Sequence, residues 1–429
     1  MSIRYEDSTE FLTRAELVIP LGSQTFSKSR TQYPVGVSPL FAVRAKGPHL
    51  WDLDGNKYID LVSNLAAVTL GYRFREVETA VRKQMKLGNG FSLPSTLETI
   101  VAERIVSLVP SAEMVRFGKN GTDATSAAVR LARAYTGRDC VAVCGYHGWQ
   151  DWFIGSTSRN KGVPAATSQL TVPFQYNNIQ SLANIFMDYP NKVAAVILEP
   201  MTSEFPTKGF LQEIKNLCEK NGTILIFDET ITGFRFTRGG AQELFQVSPH
   251  LSTFGKGIAN GYPLSVVCGS KEIMQEMENI FFSGTFGGEL LSLAAANVVL
   301  AMHQRNTVSP NLVEAGEDLS NKLQELIIET EMTEVLNVKG HATWKFLDWS
   351  ESAGYSPLEI RTFFMQEMFR RGLLILGTHN VSLAHNTKTR KKILETYSEV
   401  LSLIRSNLVN ETLRMNLRVK PLQPLFRVR

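Results

Sequence analysis

A chain of 429 residues with 43% hydrophobic and 20% charged side chains has the composition of a folded globular protein, which excludes large-scale disorder. Its 45 basic and 41 acidic residues leave a formal charge of +4, densest in NTKTRKK (Asn386–Lys392) and in the basic ending FRVR; read as solvated faces, so small a surplus argues against a nucleic-acid partner. The four cysteines (Cys140, Cys144, Cys218, Cys268) lack CxxC pairing and zinc spacing, so no metal is implied. The amino-terminal MSIRYEDSTEFLTRAEL carries charges where a signal peptide needs an apolar core, and no window approaches the roughly 20 apolar residues of a membrane span. A cytoplasmic enzyme without a membrane partner is the expectation.

In chain order, Leu40–Val62 (LFAVRAKGPHLWDLDGNKYIDLV) has two alternating runs about an Asp54-Gly55 turn, which predicts a hairpin. Short apolar runs then recur: Met114–Phe117, Cys140–Cys144, Val193–Leu198, Thr223–Phe227 and Ser265–Cys268. Helical patterns lie between them, among them TDATSAAVRLARAYTG and GFLQEIKNLCEKNG, the second closed by an Asn-Gly pair. Continuous rather than alternating hydrophobicity, with helices between, predicts an α/β core built on a mostly parallel sheet covered on both faces. After it, LLIL and the long helical RKKILETYSEVLSLIRSNL predict a second, smaller α+β unit assembled from both ends of the chain.

Parallel sheets collect ligands at the carboxyl ends of their strands. TILIF runs into Asp228, a carboxylate that burial disfavours unless a donor or cation meets it; capping of the next turn is the plainer alternative. MVRF ends in GKNGTDATS, where the Gly121 and Thr122 N–H groups, the Thr122 hydroxyl and a helix start could seat a phosphate, although NGTD is also a common cap. CVAVC leads into GYHGWQDW: Tyr146 could stack on a flat ring or belong to the core, and His147 reads more readily as a hydrogen-bonded structural histidine than as an acid or base. Lys256 stands between glycines in STFGKGIANGYP (Ser252–Pro263). One ligand satisfies all of these together. Pyridoxal 5′-phosphate (PLP) offers an aldehyde to the lysine, a ring nitrogen to the aspartate, a ring face to the aromatic and a phosphate to the helix start.

With these motifs in place the chain resembles the class III aminotransferases of fold type I, and within them the glutamate-1-semialdehyde aminomutase group. The Leu40–Val62 run, EMVRFGKNGTDATSAAVRLARAYTGRD, GYHGWQDWF, AAVILEPM, LIFDETITGFR, STFGKGIANGYP and SGTFGG occur in the family's order. The resemblance implies a large PLP-binding domain with a seven-stranded, mostly parallel sheet at 71–315, and a small α+β domain from 1–70 and 316–429. It implies Lys256 as the Schiff-base lysine and proton shuttle, Asp228 as the partner of the ring nitrogen and Tyr146 as the stacking ring. Gly121 and Thr122 become the phosphate cradle, with Asn120 in place of the serine of the family's NSGT. Glu199 falls near the ring substituents. Thr285 matches a threonine that reaches the phosphate of a neighbouring subunit, which implies a homodimer.

Three departures bear on substrate. Gly36, in YPVGV, stands where the aminomutases carry an arginine for the substrate carboxylate, and an arginine's bidentate fork has no glycine equivalent. Thr230 replaces a valine that packs the ring, and LGTHNVSLAHN (Leu376–Asn386) lacks the aminomutase pattern. The expected activity is an aminotransferase with glutamate as the first donor to consider and an aldehyde or ketone acceptor, sugar-derived or phosphorylated. An intramolecular aminomutase and a catalytically silent binding protein are the alternatives.

Overall fold

The structure, a computed structural model, describes residues 4–423; the FRVR ending lies outside them. The chain divides into two compact units, one made of Arg75–Pro310 and the other of the described residues up to Phe74 and from Asn311 onward.

The central unit is built on a seven-stranded sheet in the order Met114–Gly118, Ser265–Gly269, Leu251–Phe254, Ile224–Asp228, Val193–Leu198, Cys140–Cys144, Thr171–Pro173. Only Ser265–Gly269 runs antiparallel to its neighbours. All six residues of Val193–Leu198 are buried, the signature of a strand covered on both faces. Two strands had no apolar run to reveal them. Thr171–Pro173 is three residues long, and Leu251–Phe254 (LSTF) buries a serine and a threonine.

Helix Gly121–Thr136 packs its small apolar face, including Ala124, Ala127, Ala128, Leu131 and Ala132, into the core shared with Val141, Ile197 and Ile226. Asp123 holds its first turn by accepting from the N–H groups of Lys119 (3.0 Å) and Asn120 (2.8 Å). Gly137, at φ +66°, ends it in the left-handed conformation that glycine adopts without penalty. Alanines at these positions let the helix lie close to the strands, which brings its amino terminus to the sheet's carboxyl edge.

In the terminal unit the expected hairpin is a three-stranded meander, Ala42–Lys46, His49–Asp52 and Lys57–Asp60. Gly47 (φ +57°) and Pro48 break the first alternating run, because proline supplies no ladder donor. Leu373–Leu374 adds to its edge in parallel, and a second sheet joins Leu336–His341, Trp344–Trp349 and Thr378–Asn380. Phe364 and Phe369 of helix Pro357–Arg370 share a core with Tyr397, Leu401 and Ile404 of helix Thr387–Val409.

Four consecutive non-glycine residues of this unit, Ser63 to Ala66, have positive φ (49°, 51°, 57° and 68°). Each costs about 1–2 kcal/mol in an L-residue, so the neighbourhood must hold them. Asp60 Oδ1 accepts from the N–H groups of Val62 (2.7 Å) and Ser63 (3.0 Å). The segment Leu376–Asn386, unfamiliar by sequence, supplies the rest: Asn380 donates to the Val62 carbonyl (2.8 Å), Ser63 to the Asn380 carbonyl (2.8 Å), and His385 Nε2 bonds the Asp60 carbonyl (3.0 Å). Its role in the fold is to brace this turn.

Candidate active site

Six strands of the central sheet run the same way, and the residue groups singled out by sequence follow the carboxyl ends of five of them. Gly121 and Thr122 follow Met114–Gly118, Tyr146 and His147 follow Cys140–Cys144, Glu199 follows Val193–Leu198, Asp228 closes Ile224–Asp228, and Lys256 follows Leu251–Phe254.

Asp228 is 4% exposed, and both of its oxygens are hydrogen-bonded. Its Oδ1 accepts from the Thr230 hydroxyl (2.6 Å), the Thr230 N–H (3.1 Å) and the Thr253 hydroxyl (3.1 Å), and its Oδ2 meets His147 Nδ1 at 2.9 Å. Burial alone would push this carboxyl up; the bonds from His147 and Thr230 outweigh it and hold the group below its ordinary value. His147, itself 1% exposed, has its Nε2 3.1 Å from the Cys144 carbonyl. A carbonyl only accepts, so that nitrogen donates and one proton lies on the line between Nδ1 and Oδ2. The histidine that reads as structural by sequence is thus both structural and a partner of the aspartate.

Lys256 has φ +42°, a conformation a lysine adopts only where its surroundings impose it. Gly255 precedes it at the start of a single 3₁₀ turn, Lys256–Ala259. Burial lowers the amine from its ordinary value, opposed by the charges of Asp228 and Glu199. Glu199 accepts from the Tyr146 N–H (3.0 Å) and its carboxyl is pushed up to about 7, by burial first and then by Asp228. Tyr146 is 49% exposed, with its ring edge-on to Phe153 at 5.6 Å, so half of its surface remains uncovered.

The Thr122 hydroxyl is buried and has no hydrogen-bond partner among the described residues. Such an atom at a helix amino terminus fits an anion acceptor, and a phosphate supplies one. The glycines around it are spatially required. A Cβ on Gly148 (φ +109°) would stand 2.6 Å from Thr122 Cβ, one on Gly145 (φ +105°) 2.7 Å from Glu199 Oε2, and those on Gly121 and Gly255 3.1 and 3.2 Å from Thr230 Cγ2. Gly148→Ala is therefore expected to raise the dissociation constant for PLP by about tenfold, measured by fluorescence titration of the apoprotein, since forcing a side chain there costs on the order of 1–3 kcal/mol.

Two of the residues singled out by sequence are not drawn in. The Asn120 side chain is exposed at the helix start, and Thr285 lies on the exposed stretch Ser283–Phe286. Gly145, Gly148 and Thr253 went unread by sequence. The first two flank Tyr146-His147 in GYHG, where a glycine on each side of an aromatic pair was the available signal, and Thr253 is a hydroxyl in a buried strand three residues before the lysine.

Comparison with known proteins shows the family and the fold. The aminotransferase class-III family model matches residues 32–402. A glutamate-1-semialdehyde 2,1-aminomutase of Flavobacterium psychrophilum is 34% identical over 403 residues, covering 89% of this chain and 94% of its own. Among solved structures, the PLP-containing FumI protein of Sphingopyxis sp. MTA144 superposes with TM-score 0.87 at 28% identity, covering 97% and 98% of the two chains. An omega-transaminase from Sphaerobacter thermophilus shares the fold at TM-score 0.85 and 24% identity, covering 94% and 99%. The chain belongs to the class III aminotransferase family, and its fold is that of the fold type I PLP-dependent transferases. It is a PLP-dependent enzyme of the aminotransferase and aminomutase class. No helix among the described residues is long and apolar enough to cross a membrane.

Proposed function

We propose that this enzyme is an aminotransferase that takes an amino group from a donor, glutamate first among those to test, and delivers it to an aldehyde or ketone unlike glutamate semialdehyde. Bound PLP supplies an aldehyde for covalent capture of amino groups and a ring that accepts electrons. Lys256 holds that aldehyde and then, as a free amine, moves the proton at the substrate carbon; its lowered basicity leaves more of it neutral near pH 7. Asp228 faces the ring nitrogen, Tyr146 covers the ring, and Glu199 stands near the ring substituents. Gly121, Thr122 and the amino end of their helix take the phosphate, and Thr230 borders the cofactor, whereas the Asn120 side chain is exposed at the helix start. Thr285, exposed in one chain, would reach the phosphate site of a second copy in a homodimer.

The observation that carries the choice of a substrate unlike glutamate semialdehyde is Gly36. It lies at φ +90°, a backbone conformation in which an arginine would be strained, so the carboxylate fork of the aminomutases is missing in backbone as well as in side chain. An acceptor without that carboxylate fits, such as a keto sugar, a small polyol-derived carbonyl or a phosphorylated aldehyde. The 34% identity to a named aminomutase supports a second reading, intramolecular exchange of the amino group as in an aminomutase. Multiple-turnover assays separate the two. Steady product formation is expected only with an amino donor present, and product formed over many turnovers without one would replace the transferase reading by the mutase reading.

A further inference from the structure

We infer that Thr230 is a positioning residue whose hydroxyl, by bonding Asp228 Oδ1, keeps the shared proton on the cofactor's ring nitrogen. This rests on Asp228 facing that nitrogen, as proposed above.

The side chain is used at both ends. Its hydroxyl donates to Asp228 Oδ1 at 2.6 Å, and its methyl lies where Cβ atoms on Gly121 and Gly255 would approach to 3.1 and 3.2 Å. Thr230 thus stands where the phosphate loop, the lysine loop and the aspartate converge, with its rotamer fixed from two sides. Valine would keep the methyl contacts and lose the hydroxyl.

The two oxygens of Asp228 are unequally loaded. Oδ1 takes three donors, from Thr230 twice and Thr253 once, while Oδ2 takes His147 alone. A carboxylate oxygen has two lone pairs, so Oδ2 is the one with room for a further N–H. Each bond to the ionised form makes the carboxylate a weaker base. In a shared N–H···O bond the weaker the oxygen's basicity, the more the proton stays with nitrogen, and a protonated ring nitrogen is what lets the ring accept electrons. Lys256, Glu199, His147 and Tyr146 also act on this centre through charge or dipole, but among the described residues only Thr230 and Thr253 hold Oδ1 through hydroxyls.

The test uses holoenzyme reconstituted with PLP labelled with ¹⁵N in the ring, for the unaltered protein, Thr230→Val, Thr230→Ala, Thr230→Ser and Asp228→Asn. The ring ¹⁵N resonance is expected to move toward the unprotonated pyridine position in the valine and alanine variants and to stay in place in the serine variant. kcat should fall about tenfold in the valine variant, the change that one pH unit of carboxylate basicity represents, with KM altered less than twofold. A merely structural role would move cofactor affinity and leave the resonance unchanged. A valine variant whose resonance coincides with that of the unaltered protein, or a serine variant displaced as far as valine, overturns the inference. If Asp228→Asn also leaves the resonance unmoved, the assignment of Asp228 to the ring nitrogen falls with it; if only Asp228→Asn moves it, Thr230 alone is wrongly assigned.

Discussion

Lys256→Ala is expected to lower turnover by at least about 10⁴-fold, because one substitution removes both the covalent attachment and the positioned proton carrier. The fold should survive. The residue sits in a single 3₁₀ turn at φ +42°, where alanine carries no more strain than lysine, and the amine it removes is one that burial already disfavours as a cation. Borohydride treatment followed by intact-mass measurement should fix cofactor onto the unaltered protein and not onto the variant. Thermal unfolding midpoints of the two apoproteins within a few degrees of each other would show that chemistry and not folding was lost. A variant that retained full turnover would remove Lys256 from the mechanism.

Asp228→Ala is expected to be costly in a second way. Besides lowering kcat by about 10²–10³-fold, it leaves His147 and the Thr253 hydroxyl, both buried, without their common partner. Breaking a buried pair by removing one member costs on the order of 3–5 kcal/mol. The pH dependence follows from the depressed carboxyl. Asp228 stabilises the fold fully above the unfolded carboxylate value, about 3.9, and that contribution is lost as pH falls through the lower folded value. Chemical denaturation of the apoproteins should therefore show a stability gap between the two that is constant near neutrality and narrows only in acid. A gap that stayed constant down to the lowest pH at which both remain folded would mean that Asp228 is not held ionised by its neighbours.

The fold was legible where burial and composition coincide. Val193–Leu198 and Cys140–Cys144 are strands at the residues where the apolar runs begin and end, because a strand covered on both faces has no polar position to blur it. Leu251–Phe254 was not, since Ser252 and Thr253 are polar residues that become affordable in a core only through partners distant in sequence: Ser111, Gln242 and Asp228. The same limit applies at the site. Strand ends followed by a lone acid or a lysine between glycines can be read from one dimension, whereas the bonds of His147 and Thr230 to Asp228 depend on how neighbouring strands align. Thr230 reads as a substitution for a ring-packing valine, and nothing in the linear pattern says where its hydroxyl points. Leu376–Asn386 reads as a place where substrate is chosen, and several of its hydrogen bonds reach a strained turn more than 300 positions earlier in the chain, as with Asn380 and Val62.

The terminal unit also has a schedule. Arg75–Pro310 is one uninterrupted stretch, so all seven strands of its sheet have left the ribosome before the last hundred residues are made. The meander ending at Lys57–Asp60 must wait for Leu373–Leu374 to be made, and the Ser63–Ala66 turn for Asn380 and His385. At about 5–20 residues per second, that wait lasts roughly a quarter of a minute to a minute, during which the first part of the chain has its side chains but not the partners that complete their burial. Truncation near the carboxyl end should accordingly undo the beginning of the protein before it disturbs the middle.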